Sequence, residues 1–308
     1  MQVLKPRKFI HTLQMNFDNN KQFLQYRLKK KYSLKSCKMH DFHVKRFLTW
    51  CIKENIKHEQ ISYDETLKFI SNEKNKNIAI TSIDRTLNSI KIYFDCLVET
   101  EIIKQNIVRQ IKLQIKGKRV LPELLSILQL DKIYNDYSNI PQWKHKSERA
   151  KLLHQRNIVI LGLLIYQGID SGEIIKLETG HINLNEGKIY IPATKRSNAR
   201  TLKLQAIQIL SIKYYIEKLK LKQTDKLFTV KKSSDMICKL IDKIKITYPA
   251  IIDSRQIKAS IIMNWLKQYN IRQVQYMVGH RSIKSTEAYR NQDLSDLTTQ
   301  LEKYHPLK

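Results

Sequence analysis

Acidic residues are scarce in this 308-residue chain: 28 Asp and Glu stand against 56 Lys and Arg, a formal net charge of +28 at pH 7. Such an excess repels itself within the fold and attracts polyanions over roughly a Debye length. The generic partners are nucleic acid and anionic membrane. Long apolar runs are missing too, and none approaches the roughly 18–20 residues that a membrane span requires. The stretch from Met1 to Phe17 lacks a continuous apolar core and a small-residue cleavage site, so no secretory signal is expected. Nucleic acid is therefore the expected partner, and membrane is not. Charge alone leaves open a merely solvated, lysine-rich surface, because the chain is also rich in Lys, Ile and Asn.

Cysteine is sparse and scattered: Cys37, Cys51, Cys96 and Cys238 show no metal-ligand spacing. That pattern argues against a zinc site and against a disulfide scaffold, and it fits free, mostly buried thiols in a reducing cytoplasm. Only seven glycines and six prolines punctuate the chain, so long helices are expected to dominate.

Apolar residues recur at helical spacing from about Phe9 to Leu113. Examples are Phe42, Phe47, Leu48 and Cys51, then Leu67, Phe69 and Ile70, then Ile83, Leu87, Ile90, Ile92 and Phe94. This predicts a small bundle of four or five short helices, with Thr81 and Ser82 capping one of them. The run Lys116-Gly117-Lys118-Arg119-Val120-Leu121-Pro122 combines a glycine, a basic cluster and a proline, which suits a linker. The expected division is a helical domain over 1–115, a basic linker over 116–122 and a second domain over 123–308.

In the second domain the apolar stretch Ile158 to Tyr166 predicts a buried helix. The period then changes to two: Ile182/Leu184, Ile189/Ile191 and Leu202/Leu204 alternate with polar residues, separated by the turn signals Asn185-Glu186-Gly187 and Ser197-Asn198. A three-stranded antiparallel sheet inside an otherwise helical domain follows. The fold class is mainly α, with an α+β C-terminal domain.

The most informative segment is Met277-Val278-Gly279-His280-Arg281-Ser282-Ile283-Lys284-Ser285-Thr286-Glu287-Ala288-Tyr289. A glycine permits a tight turn between helices, and a following helix presents a tyrosine. An ordinary helix-terminating turn and an amphipathic tyrosine would look similar. The combination, a Gly-His pair with a tyrosine nine positions after the His, resembles the tyrosine recombinases, or phage integrases. That resemblance implies a helical core-binding domain followed by a catalytic domain. It also implies attack by the Tyr289 phenol on a DNA phosphodiester, leaving a 3′-phosphotyrosyl bond in which the bond energy is retained. His280 would hydrogen-bond or orient around the scissile phosphate.

Such chemistry concentrates negative charge on phosphorus and calls for fixed cationic donors and a proton donor for the leaving 5′-oxygen. Lys195, in Pro192-Ala193-Thr194-Lys195-Arg196-Ser197-Asn198-Ala199-Arg200 between the second and third strands, matches the family's general-acid lysine; a hairpin merely touching phosphates is the bland alternative. The family's first arginine is absent. In Tyr166-Gln167-Gly168-Ile169-Asp170-Ser171-Gly172-Glu173 its position holds Asp170, which with Glu173 has the spacing of a helix capping pair. The family's His-x-x-Arg corresponds to Arg255-Gln256-Ile257-Lys258, so both positions stay basic without their expected identities. Arg255 is expected to replace a lost guanidinium, with Asp170 pairing with it or standing clear of the phosphate. Arg196, Arg200, Arg281, Lys118 and Arg119 are candidate DNA contacts.

In the N-terminal region, Ser33-Leu34-Lys35, Thr49-Trp50 and Thr81-Ser82-Ile83-Asp84-Arg85 resemble the core-binding domain, with Lys29, Lys30, Lys31, Lys45, Arg46 and Arg85 as possible phosphate contacts. The resemblance implies a site-specific recombinase of a mobile element (integrase, transposase or invertase) acting on double-stranded DNA. It further implies a homodimer on each site and a homotetramer in the synapse, with no metal or nucleotide cofactor, in bacterial cytoplasm at the nucleoid. Leu294, Leu297 and Leu301, on one helix face, either dock on a neighbouring protomer or pack on their own domain. The altered basic pocket leaves a rival: a recombinase-derived protein that binds DNA as an accessory or regulatory factor without efficient chemistry.

Overall fold

The computed structural model describes residues 21–114, 123–141, 147–229 and 233–290. The expected linker over 116–122, with Lys118 and Arg119, and the leucine-spaced tail after Tyr289 lie outside the described residues. The chain divides into two compact units, Met1–Lys118 and Arg119–Lys308.

In the first unit residues 21–29 are helical, followed by α1 (Leu34–Lys53), α2 (Tyr63–Asn75) and α3 (Ile80–Glu99). Two of these helices run 20 residues, longer than the short helices expected. Ser33 caps α1 by accepting from the Ser36 amide at 3.2 Å, and Ser62 with Glu65 forms a reciprocal capping box on α2. The expected cap at Thr81 and Ser82 is corrected: the amides of Ser82 and Ile83 both donate to the Ala79 carbonyl, so α3 starts earlier and both residues sit within its first turn. Phe47, Trp50, Phe69 and Phe94 form the aromatic centre of the core, mostly edge to face. Phe42 is 61% exposed, off the stripe of Cys37, Val44, Phe47, Trp50 and Cys51 that α1 buries.

The buried charges here are structural. Arg27 is fully buried, donating to the carbonyls of Phe23 and Cys37 and pairing with Asp41 at 2.7 Å. Buried Glu73 pairs with Arg46 and Lys76. Lys29 and Lys30 both pair with Glu99. Cys37, Cys51 and Cys96 are free and buried, and Cys238 is free and exposed.

The second unit contains α4 (Ile127–Ser138), α5 (Glu148–Gln167), α6 (Ser171–Ile174), β1 (Ile182–Asn183), β2 (Lys188–Ile191), β3 (Arg200–Lys203), α7 (Ala206–Leu219), α8 (Ser233–Thr247), α9 (Ser254–Gln268) and α10 (Ile271–Val278). Residues 284–290 are helical again. As the apolar run predicts, α5 is the central buried helix, with Ile158 through Ile165 inside, and Gly168 ends it in the left-handed conformation at φ +58°. The three strands form an antiparallel sheet in the order β1-β2-β3. Ile182, Ile189 and Leu202 stand in one cross-strand row. Gly187, at φ +61°, closes the first hairpin. The third strand departs from the apolar pattern, because it turns Arg200 into the core opposite Ile191.

Candidate active site

The site is assembled within the second unit from four segments: the turn into α6, the loop between β2 and β3, the start of α9, and the turn after α10 that leads to Tyr289. Gly279 ends α10 at φ +77°, a conformation that L side chains rarely adopt. Space requires glycine there as well, since a Cβ would sit 2.5 Å from Arg200 Nη1 and 3.0 Å from the Asn198 carbonyl.

That close approach lets the hairpin dock on the turn. The Asn198 amide donates to the Gly279 carbonyl at 2.8 Å, Ser197 pairs with His280 as an isolated bridge, and Arg281 Nη2 donates to the Thr194 carbonyl at 2.9 Å. Thr194 and Ser197 close the loop on themselves, hydroxyl to hydroxyl at 2.9 Å. Lys195 and Arg196 are left exposed at its tip. The lysine expected to act as an acid is thus carried by a loop hydrogen-bonded to the segment that bears His280.

His280 Nδ1 lies 2.9 Å from Oγ1 of Thr286, which is fully buried. The imidazole and the Tyr289 ring are nearly parallel, 16° between planes and 6.2 Å between centroids. Tyr289 also packs against Ile262, Val274 and Val278. Burial, and then the positive charges of Lys258 and Arg200, push the His280 imidazole down to about 4, with Glu173 opposing. At neutral pH the ring is therefore uncharged and carries one N–H, and the Thr286 contact at Nδ1 governs which nitrogen bears it.

Asp170 and Glu173 form the expected capping pair. Asp170 Oδ1 accepts from the amides of Gly172 and Glu173 at 2.8 and 3.0 Å, and Glu173 Oε2 accepts from the Asp170 amide at 2.9 Å. The other Asp170 oxygen, Oδ2, faces Lys258 Nζ at 3.9 Å. Arg255 is not brought into this group: its guanidinium is 83% exposed and bound to Asp253 Oδ2 by Nε and Nη2 at 2.8 and 2.6 Å. Of the two expected alternatives for Asp170, pairing with Arg255 is therefore corrected: its neighbour is Lys258. Asp253, the N-cap of α9, holds Arg255 in the first turn, whereas the Lys258 side chain, three residues after Arg255, is only 20% exposed.

Arg200 is also placed differently from expectation. It is not on the surface but fully buried, with Nη1 on Glu173 Oε1 at 2.5 Å and Nη2 on Oε2 at 3.1 Å. Thr286 and Ser197 as partners of His280, and Glu173 as the partner of Arg200, are not legible from the local sequence, where Glu173 shows only as a cap. The one available signal was the Ser/Thr content of the two turns. Among the described residues no cluster of metal-ligating side chains occurs, and no helix is long and apolar enough to cross a membrane.

Comparison with known proteins bears on this arrangement directly. The model of the phage integrase family matches residues 135–295, more than half of the chain and all of the segments just described. The chain belongs to the phage integrase family. The tyrosine recombinase XerC of Rickettsia bellii is 27% identical over 254 residues, covering 78% of each chain. The TnP I resolvase of Bacillus thuringiensis is 24% identical over 266 residues, covering 82% of this chain and 90% of the other. In fold, the chain is similar to XerH site-specific recombinase bound to its palindromic difH substrate, with a TM-score of 0.70, 17% identity, and 98% and 90% of the two chains covered. It is also similar to the Tn1549 transposon integrase in complex with a circular intermediate DNA, at a TM-score of 0.63, 12% identity, and 92% and 99% coverage. Family membership places this integrase-family chain among the proteins of site-specific DNA recombination, and the two-unit, mainly helical fold agrees.

Proposed function

We propose that this protein cuts and rejoins double-stranded DNA at a specific site through a covalent bond to Tyr289. The observation that carries the reading is the convergence of His280, stacked beside Tyr289, with the Lys195 loop hydrogen-bonded to the same turn. In the step, the Tyr289 oxygen bonds to phosphorus as its proton leaves to solvent or a base. The bond from phosphorus to the 5′-oxygen breaks, and Lys195 supplies the proton that the leaving oxygen takes up. In this reading the Thr286 hydroxyl donates to Nδ1, so that neutral His280 carries its proton on Nε2 and donates to a phosphate oxygen as charge builds. Lys258 supplies positive charge from the position that arginine holds in the family. Arg196 and Arg281 lie beside the Lys195 tip and contact the flanking backbone; Lys118 and Arg119 would act in the same way from the linker.

The reading extends to a homodimer on each site and a homotetramer in the synapse, working in a bacterial nucleoid. Nicked suicide duplexes carrying the element's own ends test it. A covalent protein–DNA adduct that is lost in Tyr289→Phe supports the mechanism. Binding to those ends without any adduct would overturn it in favour of a recombinase-derived binding protein.

A further inference from the structure

The two positions at which the family's arginines have been replaced face each other. Asp170 is the N-cap of α6 and Lys258 lies in α9, and their charged atoms are 3.9 Å apart. We propose that Asp170 is a positioning residue, the counter-ion that keeps the Lys258 ammonium charged and aimed within the pocket, so that one ion pair stands where two fixed guanidinium groups would otherwise stand. The catalytic meaning of the pair rests on the recombinase reading above.

Geometry gives Asp170 this role. Its Oδ1 is engaged by two backbone amides at the start of α6, which fixes the carboxylate and leaves Oδ2 directed at Lys258. The charged and titratable groups facing Lys258 are Asp170 at the N-cap of α6, Glu173 within α6, Arg200 from β3 and His280 beyond α10. Glu173 is already engaged by both prongs of Arg200. Asp170 is thus the carboxylate facing Lys258 that no guanidinium holds, among the described residues.

Lysine needs such a partner where arginine does not. A guanidinium stays charged on burial, whereas an ammonium loses its proton readily. Lys258 is mostly buried, and burial lowers its pKa, with Arg200 acting in the same sense; Glu173 and Asp170 raise it. Replacing arginine by lysine at 258 would leave the pocket prone to losing its charge, and the aspartate at 170 restrains that loss.

Asp170→Asn separates charge from capping, because asparagine caps a helix as well as aspartate does. The full-length protein and this variant are treated with acetic anhydride across pH, and Lys258 acetylation is read by mass spectrometry. An opposite charge at this range shifts a pKa by about 1–3 units, so the labelling midpoint is expected to fall by about 1–3 pH units in Asp170→Asn. Equal midpoints overturn the proposal. Asp170→Ser, another neutral cap, repeats the measurement if the asparagine variant does not fold. Tyr289 adduct formation is then followed across pH in both proteins, and its loss at alkaline pH is expected to move down together with the labelling midpoint. An unmoved alkaline limb overturns the role of the pair in the reaction. Absence of adduct even in the unsubstituted protein would overturn the recombinase reading, while the acetylation midpoints still decide the ion pair.

Discussion

Arg200 and Glu173, 27 positions apart, form a two-pronged ion pair with no exposed side-chain surface on either partner. The pair fastens β3 to the turn that begins α6, and Gly279 packs against the same guanidinium. Removing one partner of a buried pair leaves an uncompensated charge and costs about 3–5 kcal/mol. Arg200→Met is expected to lose that much in urea unfolding of the whole chain. Glu173→Gln keeps an acceptor for the Asp170 amide, so the double variant Arg200→Met/Glu173→Gln should be less destabilised than Arg200→Met alone. Equal losses would show that the pair is not the source of the effect.

The same glutamate predicts acid sensitivity. Burial alone would raise its carboxyl pKa, but the Arg200 hydrogen bonds and charge outweigh this and hold it below the ordinary range. Because the folded value is depressed, the stabilisation is complete above the unfolded value, about 4.3, and is lost as pH falls through the folded one. Stability measured from pH 6 downward should decline less steeply in Glu173→Gln than in the unsubstituted protein.

His280 adds a second, higher window. Its folded value of about 4 lies below the ordinary histidine value of about 6.5, so the unfolded chain binds the proton first. Stability therefore rises with pH between about 4 and about 6.5 and is lost on going down through that interval. In nuclear magnetic resonance the His280 ring should show no titration between pH 8 and pH 5.5. A midpoint near 6.5 would contradict the buried, cation-flanked setting.

Thr286 is expected to matter through His280. Thr286→Val keeps shape but removes the hydroxyl at Nδ1. On the proposed mechanism His280 contacts the reacting phosphate, and a misplaced catalytic group costs up to about 10²-fold, so adduct formation should slow by about 10–10²-fold with DNA affinity unchanged. Thr286→Ser, which restores the hydroxyl, should recover most of the rate.

Gly279→Ala tests the docking of the Lys195 loop. A left-handed non-glycine residue costs of order 1–3 kcal/mol, and the added Cβ would also meet Arg200 and the Asn198 carbonyl. The variant should be destabilised by about 2 kcal/mol or more and form little adduct. Normal cleavage would mean that the hairpin contact is dispensable.

Much of this protein is determined by its local sequence. The 3.6-residue spacing fixes the helices, the period-two runs fix the three strands, and the Gly279-His280 pair with Tyr289 marks the family, because each signal resides in neighbours along the chain. The Asp170–Glu173 capping box is legible for the same reason, being a contact three residues apart. Tertiary structure alone decided the partners of charge. Arg200 looks like a surface cation on an exposed hairpin, yet β3 turns it inward onto a carboxylate 27 positions earlier. Arg255 looks like a replacement for a lost guanidinium, yet a closer aspartate holds it at the surface, and Lys258 faces Asp170 instead. Spacing along a chain specifies which face of an element a side chain occupies. Which opposite charge that face meets depends on how distant elements pack, and burial then determines whether the charge can be kept.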